Sequence, residues 1–398
     1  MMKMRRAAAA LALLVLVACG AGKAGPPARP SPVPSPARSP TPAPLGPLRF
    51  QVQTVVGGLT VPWELAFLPD GTMLVTERTG QVRVIRNGRL LPQPALTLNV
   101  VQAPGVESGL LGLAVHPGFP NPPYVYLYDT HRGSSGTANR VSRFTYTGGR
   151  LVDEHVVLDG IPGGRCCHFG GRIAFGPDDL LYVAVGDAQV PGRAADRASL
   201  NGKILRIRDD GSVPPGNPFP GSPVYAWGLR NPEGLAWDDQ GRLYASVNGP
   251  TGEFGLFHHD EIDLIRPGAF YGWPVWAGLA PAGPAQDYGN PPQRVPPVAE
   301  SDDATWAPSG MTFYRPDPGQ RPTLLVAALT GQELLRFVID PDRPDHVLAQ
   351  QTVLSGYGRL RDVVAGPDHC LYVLTSNRDG RGNPAPDDDR ILRACPQA

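Results

Sequence analysis

The segment FGPDDLLYVAVGD, from Phe175 to Asp187, combines a turn with an apolar strand. Its first residues are typical of a tight turn, and LLYVAV is rich in residues that favour β-strands. After a polar break the strand GKILRI ends at Ile207. The segment therefore predicts two neighbouring antiparallel strands, which cannot bury both of their faces alone.

The same unit of turn, apolar strand, polar break and second strand occurs six times along the chain. The six copies extend over Phe67–Ile85, Ala114–Tyr146, Phe175–Ile207, Ala236–Ile265, Phe313–Phe337 and Ala365–Arg393. Radial stacking around a channel buries both faces of such units. The sequence predicts an all-β protein, a six-bladed β-propeller of four-stranded antiparallel blades, with function in loops at one face. The longer insertions, around Gln189 to Leu200 and Trp276 to Asp303, are predicted to be such loops.

Composition narrows the classes of function. The 398 residues include 36 basic and 36 acidic side chains, so the formal net charge is zero. The chain therefore has no excess positive charge that would attract nucleic acid. The 48 glycines and 47 prolines mark turns between strands, apart from one early proline-rich block.

The N-terminus resembles an export signal. Basic residues precede an apolar run from Ala7 to Ala18, and LVAC ends at Cys19 like a bacterial lipobox. We predict a lipoprotein signal peptide over residues 1–19, a proline-rich disordered linker over 20–49 and the propeller over 50–398. The protein would be exported and attached to the cell envelope only by the lipid on Cys19. An ordinary secretory signal is the alternative.

Four cysteines remain after Cys19, which suits an oxidising compartment. Cys370 begins one predicted strand and Cys395 ends another, so a hairpin could join them in a disulfide. Cys166 and Cys167 are adjacent, and they are interpreted as buried thiols, as a vicinal disulfide or, less readily, as zinc ligands.

Several polar residues lie where regular structure does not require them. His168 follows the cysteine pair and could be a general base, a metal ligand or a structural histidine. Arg230 and Asn231 lie in GLRNPEG, either in a binding site or in a solvated turn. Arg359 and Arg361 alternate, so they form either an anion site or a surface stripe.

A calcium site is a further candidate. Asn248, Gly249 and Pro250 end a strand whose carbonyl groups could bind calcium. The acids Asp260, Glu261 and Asp263 follow, as ligands or as a solvated loop.

Many motifs in order resemble one family, the soluble glucose and aldose sugar dehydrogenases that use pyrroloquinoline quinone (PQQ). The resemblance runs from about Gly58 to Arg393. Its motifs are GLTVPWELAFLPDG, TERTGQV, ESGLLGLAVHPGFP, HFGGRIAFGPD, NGKILRI, GLRNPEGLAW, NGP, DEIDLI, FYGWP, APSGMTFY and GRLRDVVAGPD. The family fold is a six-bladed propeller.

The resemblance implies roles for individual residues. His168 matches the general base that takes the proton of the C1 hydroxyl, and Asp187 matches an acid beside it. Arg230 matches a catalytic residue that also contacts the cofactor. Further matches to cofactor-binding positions are Glu107, Asn231, Asn248, Thr330, Arg359 and Arg361. Gly249 and Pro250 match the carbonyl ligands of the calcium ion at PQQ, and Glu261 and Tyr271 resemble part of a second calcium site.

The sequence departs from the family pattern at three of these places. Cys167 precedes the base where the glucose enzymes commonly have an acid, and Glu107 stands in place of an uncharged amide. Thr330 replaces a lysine that pairs with the cofactor, which removes a cation from the site of a trianionic ligand.

Three functions are consistent with these residues. The first is PQQ- and Ca²⁺-dependent oxidation of the C1 hydroxyl of aldose sugars to lactones, with electrons passed to an unknown acceptor. The second is a non-enzymatic propeller that binds a carbohydrate or a protein. The third is a metal-dependent lactonase, which would require acidic ligands from several blades.

Overall fold

The computed structural model describes residues 48–134, 136–317 and 319–397. The predicted signal peptide, Cys19 and nearly all of the predicted linker lie outside these residues. Within them, strands predominate, and the helical elements are one α-helix, Pro191–Ala195, and two 3₁₀ helices, Glu253–Gly255 and Ala285–Tyr288. None of the helices in this part of the chain has the length and apolar character needed to cross a membrane.

Six antiparallel sheets confirm the predicted six-bladed propeller, and we number the blades 1 to 6 along the chain. Blade 1 contains the strands Pro62–Phe67, Met73–Glu77, Gln81–Arg86, Arg89–Leu90 and Leu96–Thr97. Blade 2 contains Leu110–Val115, Tyr124–Gly133, Gly136–Thr147 and Arg150–Pro162. Blade 3 contains Ile173–Phe175, Leu181–Val185, Lys203–Ile207 and Val224–Trp227. Blade 4 contains Asn231–Trp237, Leu243–Asn248, Glu261–Ile265 and Ala299–Glu300. Blade 5 contains Pro308–Tyr314, Thr323–Ala328, Glu333–Ile339 and Val347–Ser355. Blade 6 contains Leu360–Ala365, Leu371–Thr375, Ile391–Pro396 and Phe50–Val56. A separate hairpin pairs Trp276–Ala277 with Ala280–Pro281.

The first strand of the described chain closes the ring. Phe50–Val56 pairs antiparallel with Ile391–Pro396, so the N-terminal strand is the outer strand of blade 6. A disulfide between Cys370 and Cys395 links two adjacent strands of the same blade, as the sequence predicts. The two ends of the domain are thus held together by strand pairing, and the disulfide bonds the C-terminal strand to its inner neighbour.

The core lies between neighbouring blades. The second strands of blades 3 and 6, Leu181–Val185 and Leu371–Thr375, are buried along their whole length. Both faces of such a strand pack against other blades, so its side chains are mostly apolar and do not alternate between apolar and polar residues.

This arrangement brings the site loops together. In an antiparallel blade, the start of the first strand and the end of the second strand lie at the same end. We call this end of the propeller the entry end. Residues just before each first strand and just after each second strand therefore meet there, although they are far apart in sequence.

Candidate active site

His168 lies in the loop before the first strand of blade 3, at the entry end, and it is buried. Its backbone is left-handed, with a φ of 63°, a region in which histidine is found more often than most residues. The amide donates to Glu107 Oε2 at 2.8 Å, and the carbonyl accepts from Ala188 N at 3.1 Å. Both backbone groups are therefore fixed, which sets the direction of the imidazole.

The imidazole is oriented by Asp187, which follows the second strand of the same blade. His168 Nδ1 lies 2.7 Å from Asp187 Oδ1, and Trp273 Nε1 donates to Asp187 Oδ2 at 2.8 Å. Asp187 is completely buried and its carboxylate oxygens accept hydrogen bonds, so the contact with the imidazole places a hydrogen on Nδ1. The other nitrogen, Nε2, can then accept a proton.

Arg230 is linked to that nitrogen through Glu253. Its Nη2 is 2.6 Å from Glu253 Oε1, and the same carboxylate oxygen is 3.8 Å from His168 Nε2. Arg230 Nη1 also donates to the carbonyl of Asn248 at 3.2 Å. Arg230 is buried, so the alternative of a solvated turn is wrong.

Asn231 connects blade 4 to its neighbours. Its Oδ1 accepts from Gly170 N at 3.0 Å, and its Nδ2 donates to Glu233 Oε1 at 3.0 Å. Glu233 Oε2 in turn lies 2.5 Å from Arg361 Nη1 of blade 6. Asn231 therefore links the loop of the histidine to the arginines across the entry end.

Arg359 and Arg361 are both buried, so the alternative of a surface stripe is wrong. Arg359 forms a 2.9 Å ion pair with Asp379. Among the described residues, the buried Nε of Arg361 has no hydrogen-bond partner. A buried N–H without a partner is costly, so it favours a bound acceptor such as a carboxylate.

Two further arginines belong to the same cluster and were not identified from the sequence. Arg381 forms a 2.7 Å ion pair with Glu107. Arg78 directly follows the second strand of blade 1, as Gly186, the residue before Asp187, does in blade 3. Arg78 donates to the carbonyl groups of Val106 and Ser108, and no carboxylate lies within ion-pair distance in the described part of the chain.

Burial and the neighbouring positive charge of Arg361 lower the pKa of Arg78 to about 10. Four of the five arginines in the cluster pair with carboxylates, Arg230 with Glu253, Arg359 with Asp379, Arg361 with Glu233 and Arg381 with Glu107, while Arg78 pairs with none among the described residues. An orphaned N–H and two adjacent buried cations fit an anionic group with several carboxylates.

The Asn248–Gly249–Pro250 turn is held by Asp260. Gly249 N donates to Asp260 Oδ1 at 2.8 Å, and Asp260 Oδ2 accepts from the amides of Trp306 and Ala307. A Cβ on Gly249 would collide with the carbonyl oxygen of His258, so the turn requires glycine. Burial raises the pKa of Asp260.

The acids after this turn are buried, which excludes a solvated loop. Glu261 and Asp263 lie on the strand Glu261–Ile265, and neither carboxylate oxygen of Asp263 has a hydrogen-bond partner among the described residues. The Tyr271 hydroxyl donates to Leu264 O and accepts from Arg266 N, both at 2.7 Å, so its hydrogen is already used. No group of three or more His, Cys, Asp or Glu side chains in the described part of the chain could hold a metal ion. A calcium site here would therefore depend on backbone carbonyl groups, and it stays a prediction.

Cys166 and Cys167 form a vicinal disulfide, which leaves no thiolate for zinc. The carbonyl of Cys166 accepts from Glu107 N at 2.7 Å, and Arg381 Nη2 lies 3.6 Å from Cys167 Sγ. Since Glu107 also binds the His168 amide, the cysteine pair supports the loop of the histidine. Thr330, after the second strand of blade 5, is exposed and donates through its amide to Trp306 O.

The fold and this site define a class of protein: a propeller with an oriented histidine, able to take a proton, beside a cationic cluster able to hold an anion. Residues 59–392 match the family model described as Glucose / Sorbosone dehydrogenase. The chain belongs to that family.

Similar proteins have the same fold over nearly their whole length. A putative oxidoreductase (glucose dehydrogenase) from Thermus thermophilus is 48% identical, with a TM-score of 0.78 over 87% of this chain and 99% of that one. The PQQ-bound form of an aldose sugar dehydrogenase from Streptomyces coelicolor is 39% identical, with a TM-score of 0.74 over 88% and 99% of the two chains. An aldose sugar dehydrogenase from Escherichia coli is 31% identical over 84% of this chain and 92% of the relative.

Proposed function

We propose that the protein is a PQQ- and calcium-dependent aldose sugar dehydrogenase that oxidises the C1 hydroxyl of its substrate to a lactone. The observation that carries this proposal is the orientation of His168. Its Nδ1 is bonded to Asp187, and its Nε2 lies 3.8 Å from Glu253 Oε1, which is paired with Arg230. Family membership and the PQQ-bound relative support the same chemistry.

His168 is the general base. Nε2 accepts the proton of the C1 hydroxyl as the hydride leaves C1, so that the sugar loses two electrons and becomes the lactone. Asp187 and Trp273 keep the imidazole in place, and the negative charge of Asp187 stabilises the imidazolium that forms. Bound PQQ, polarised by calcium acting as a Lewis acid, supplies the hydride acceptor.

The buried arginines would hold the carboxylates of the cofactor. Arg359, Arg361 and Arg78 supply positive charge, and the unpaired Nε of Arg361 supplies a free donor. Arg230 would stabilise negative charge that develops on the reduced group. Further contacts with the cofactor are proposed for Glu107, Asn231, Asn248 and Thr330. Thr330 would contact the cofactor through an uncharged side chain.

Calcium at the cofactor would be bound by the carbonyl oxygens of Gly249 and Pro250. These residues end a strand, and the turn is fixed by Asp260. A second, structural calcium ion is proposed near Glu261 and Tyr271, where the buried carboxylate of Asp263 lacks a donor.

Export is part of the proposal. A lipoprotein signal ending at Cys19 and a proline-rich linker would place the propeller outside the cytoplasm, attached to the cell envelope. The two disulfides of the domain are suited to that oxidising location.

The purified protein, supplied with calcium and PQQ, should reduce an artificial electron acceptor when an aldose is added. His168→Gln should abolish turnover and leave the PQQ affinity unchanged. If the wild-type protein binds no PQQ in a spectroscopic titration, the proposal is wrong, and a carbohydrate- or protein-binding propeller becomes the better interpretation.

A further inference from the structure

A loop between the second and third strands of blade 4 reaches into the active site. It runs from Thr251 to Phe257, which are bridged to each other, and includes the 3₁₀ helix Glu253–Gly255. The family motifs NGP and DEIDLI lie on either side of it, and the loop itself belongs to neither. Its contacts are therefore a property of this chain that the motifs do not describe.

The loop holds one carboxylate in a fixed position. Glu253 Oε2 accepts from Thr251 N at 2.7 Å, and Oε1 accepts from Arg230 Nη2 at 2.6 Å and Nε at 3.2 Å. Burial opposes ionisation, but the positive charge of Arg230 and the Thr251 amide outweigh it and lower the pKa of Glu253. The carboxylate is therefore charged at neutral pH, and it is suited to accept hydrogen bonds rather than to act as a second base.

The position of this carboxylate matches a second hydroxyl of a sugar. Glu253 Oε1 and His168 Nε2 are 3.8 Å apart. Vicinal hydroxyl oxygens on a pyranose ring are separated by about one hydrogen-bond length, and each can reach an acceptor at roughly 2.7–2.8 Å. Two acceptors at this spacing can thus bind two neighbouring hydroxyl groups at once.

We infer that Glu253 is a specificity-determining residue that accepts a hydrogen bond from the C2 hydroxyl of the sugar while His168 takes the proton of the C1 hydroxyl. This inference rests on the proposed function and adds a substrate contact to it. The Glu253 side chain is 28% exposed, so a ligand that enters from solvent can reach it.

The neighbouring residue supplies an apolar wall for the same ligand. Phe254 has a φ of 56°, a conformation that bulky residues adopt only where the surroundings hold them there. The residue is 43% exposed, and its ring meets the ring of Trp273 edge to face, with 5.5 Å between centroids. Because Trp273 also binds Asp187, the wall and the base are fixed to one another. The C–H groups of a sugar ring pack well against such a surface.

The test compares two sugars that differ only at C2, D-glucose and 2-deoxy-D-glucose. In Glu253→Gln, the specificity constant kcat/KM for glucose should fall roughly 10- to 100-fold, as expected for the loss of a hydrogen bond to a charged acceptor. The constant for 2-deoxyglucose should change much less. Glu253→Ala should behave in the same way, which excludes an effect specific to the new amide.

Asp178→Asn is the matched control. Asp178 accepts from Nε and Nη2 of Arg206 at 3.0 and 2.7 Å, and its side chain is 34% exposed, much like Glu253. It lies in the turn between the first and second strands of blade 3, at the end opposite to the entry end. This substitution should leave the ratio of the two specificity constants unchanged.

Calorimetric titration of the cofactor-free protein with glucose separates this inference from the proposed function. Weaker glucose binding by Glu253→Gln than by the wild type supports the contact, even if the wild type has no dehydrogenase activity. Equal losses of kcat/KM with the two sugars, or glucose binding and kinetics that do not change, would overturn the inference about Glu253. A wild type without PQQ-dependent activity would refute only the proposed function.

Discussion

Asp187 Oδ1 lies 2.7 Å from His168 Nδ1, while Asp187 Oδ2 accepts a hydrogen bond from Trp273 Nε1 at 2.8 Å. One buried carboxylate thus joins the loop of the histidine to an aromatic side chain that lies between the third and fourth strands of blade 4. The relationship fixes which imidazole nitrogen faces the substrate.

Asp187→Asn should reduce kcat roughly 10²- to 10⁴-fold, because an amide can present its N–H to Nδ1 and turn the wrong nitrogen toward the substrate. Steady-state kinetics with a saturating aldose measures this loss. PQQ affinity should stay the same, and Asp178→Asn serves as the control. A kcat within threefold of the wild-type value would contradict the role of Asp187.

Arg361→Gln should weaken PQQ binding at least about tenfold, because it removes a buried cation and its free N–H donor. Spectroscopic titration measures the dissociation constant. The substitution leaves Glu233 buried without its ion pair, which destabilises the fold. The double variant Arg361→Gln/Glu233→Gln removes that unpaired charge and should still bind PQQ weakly. Recovery of wild-type affinity in the double variant would argue against Arg361 as a ligand.

Thr330→Lys should strengthen PQQ binding severalfold, because it restores a cation near a trianionic ligand. Thr330 is exposed, so a longer side chain can be accommodated. The gain in affinity should shrink as salt is added, since exposed charges are screened. An affinity that does not change at low salt would show that position 330 lies too far from the cofactor.

Cys370→Ser/Cys395→Ser should lower the free energy of unfolding by about 3 kcal/mol, since the disulfide closes a loop between residues 25 positions apart. Urea denaturation under oxidising conditions measures the change. Turnover should not change, because this disulfide lies away from His168. A loss of kcat at a temperature where the variant is fully folded would contradict this separation.

Asp389 makes stability depend on pH. Burial, together with the negative charges of Asp388 and Asp379, raises its pKa from the usual 3.8 to about 6. A raised pKa means that the folded state keeps a proton that the unfolded state loses, so this contribution to stability falls as the pH rises from about 4 to about 6.

We expect the free energy of unfolding of the wild type, relative to that of Asp389→Asn, to fall by on the order of 3 kcal/mol over that range. Urea denaturation of both proteins at several pH values tests this expectation. A difference between the two proteins that is constant with pH, or that rises, would contradict it. Near-ultraviolet circular dichroism at pH 7 checks that the variant is folded.

Part of the candidate site could be predicted from local sequence. His168, Arg230, Arg359 and Arg361 stand out because each is a polar residue in a short segment where packing does not require one, and all four are buried at the entry end. The repeat gave no signal for Arg78, because its counterpart directly after the second strand of blade 3 is Gly186. Glu253, Glu233 and Trp273 gave no such signal, because their partners lie on other loops or other blades.

The sequence by itself determined the six-bladed fold, because each blade is built from short strands and turns whose apolar patterns are local and repeat along the chain. It also indicated the Cys370–Cys395 pair, because two predicted strands of one hairpin carry those residues. The tertiary structure alone decided that Phe50–Val56 completes blade 6 and that Glu253 lies between Arg230 and His168. Contacts of this kind join segments that come close only when the ring of blades closes, and no local pattern in the chain encodes that distance.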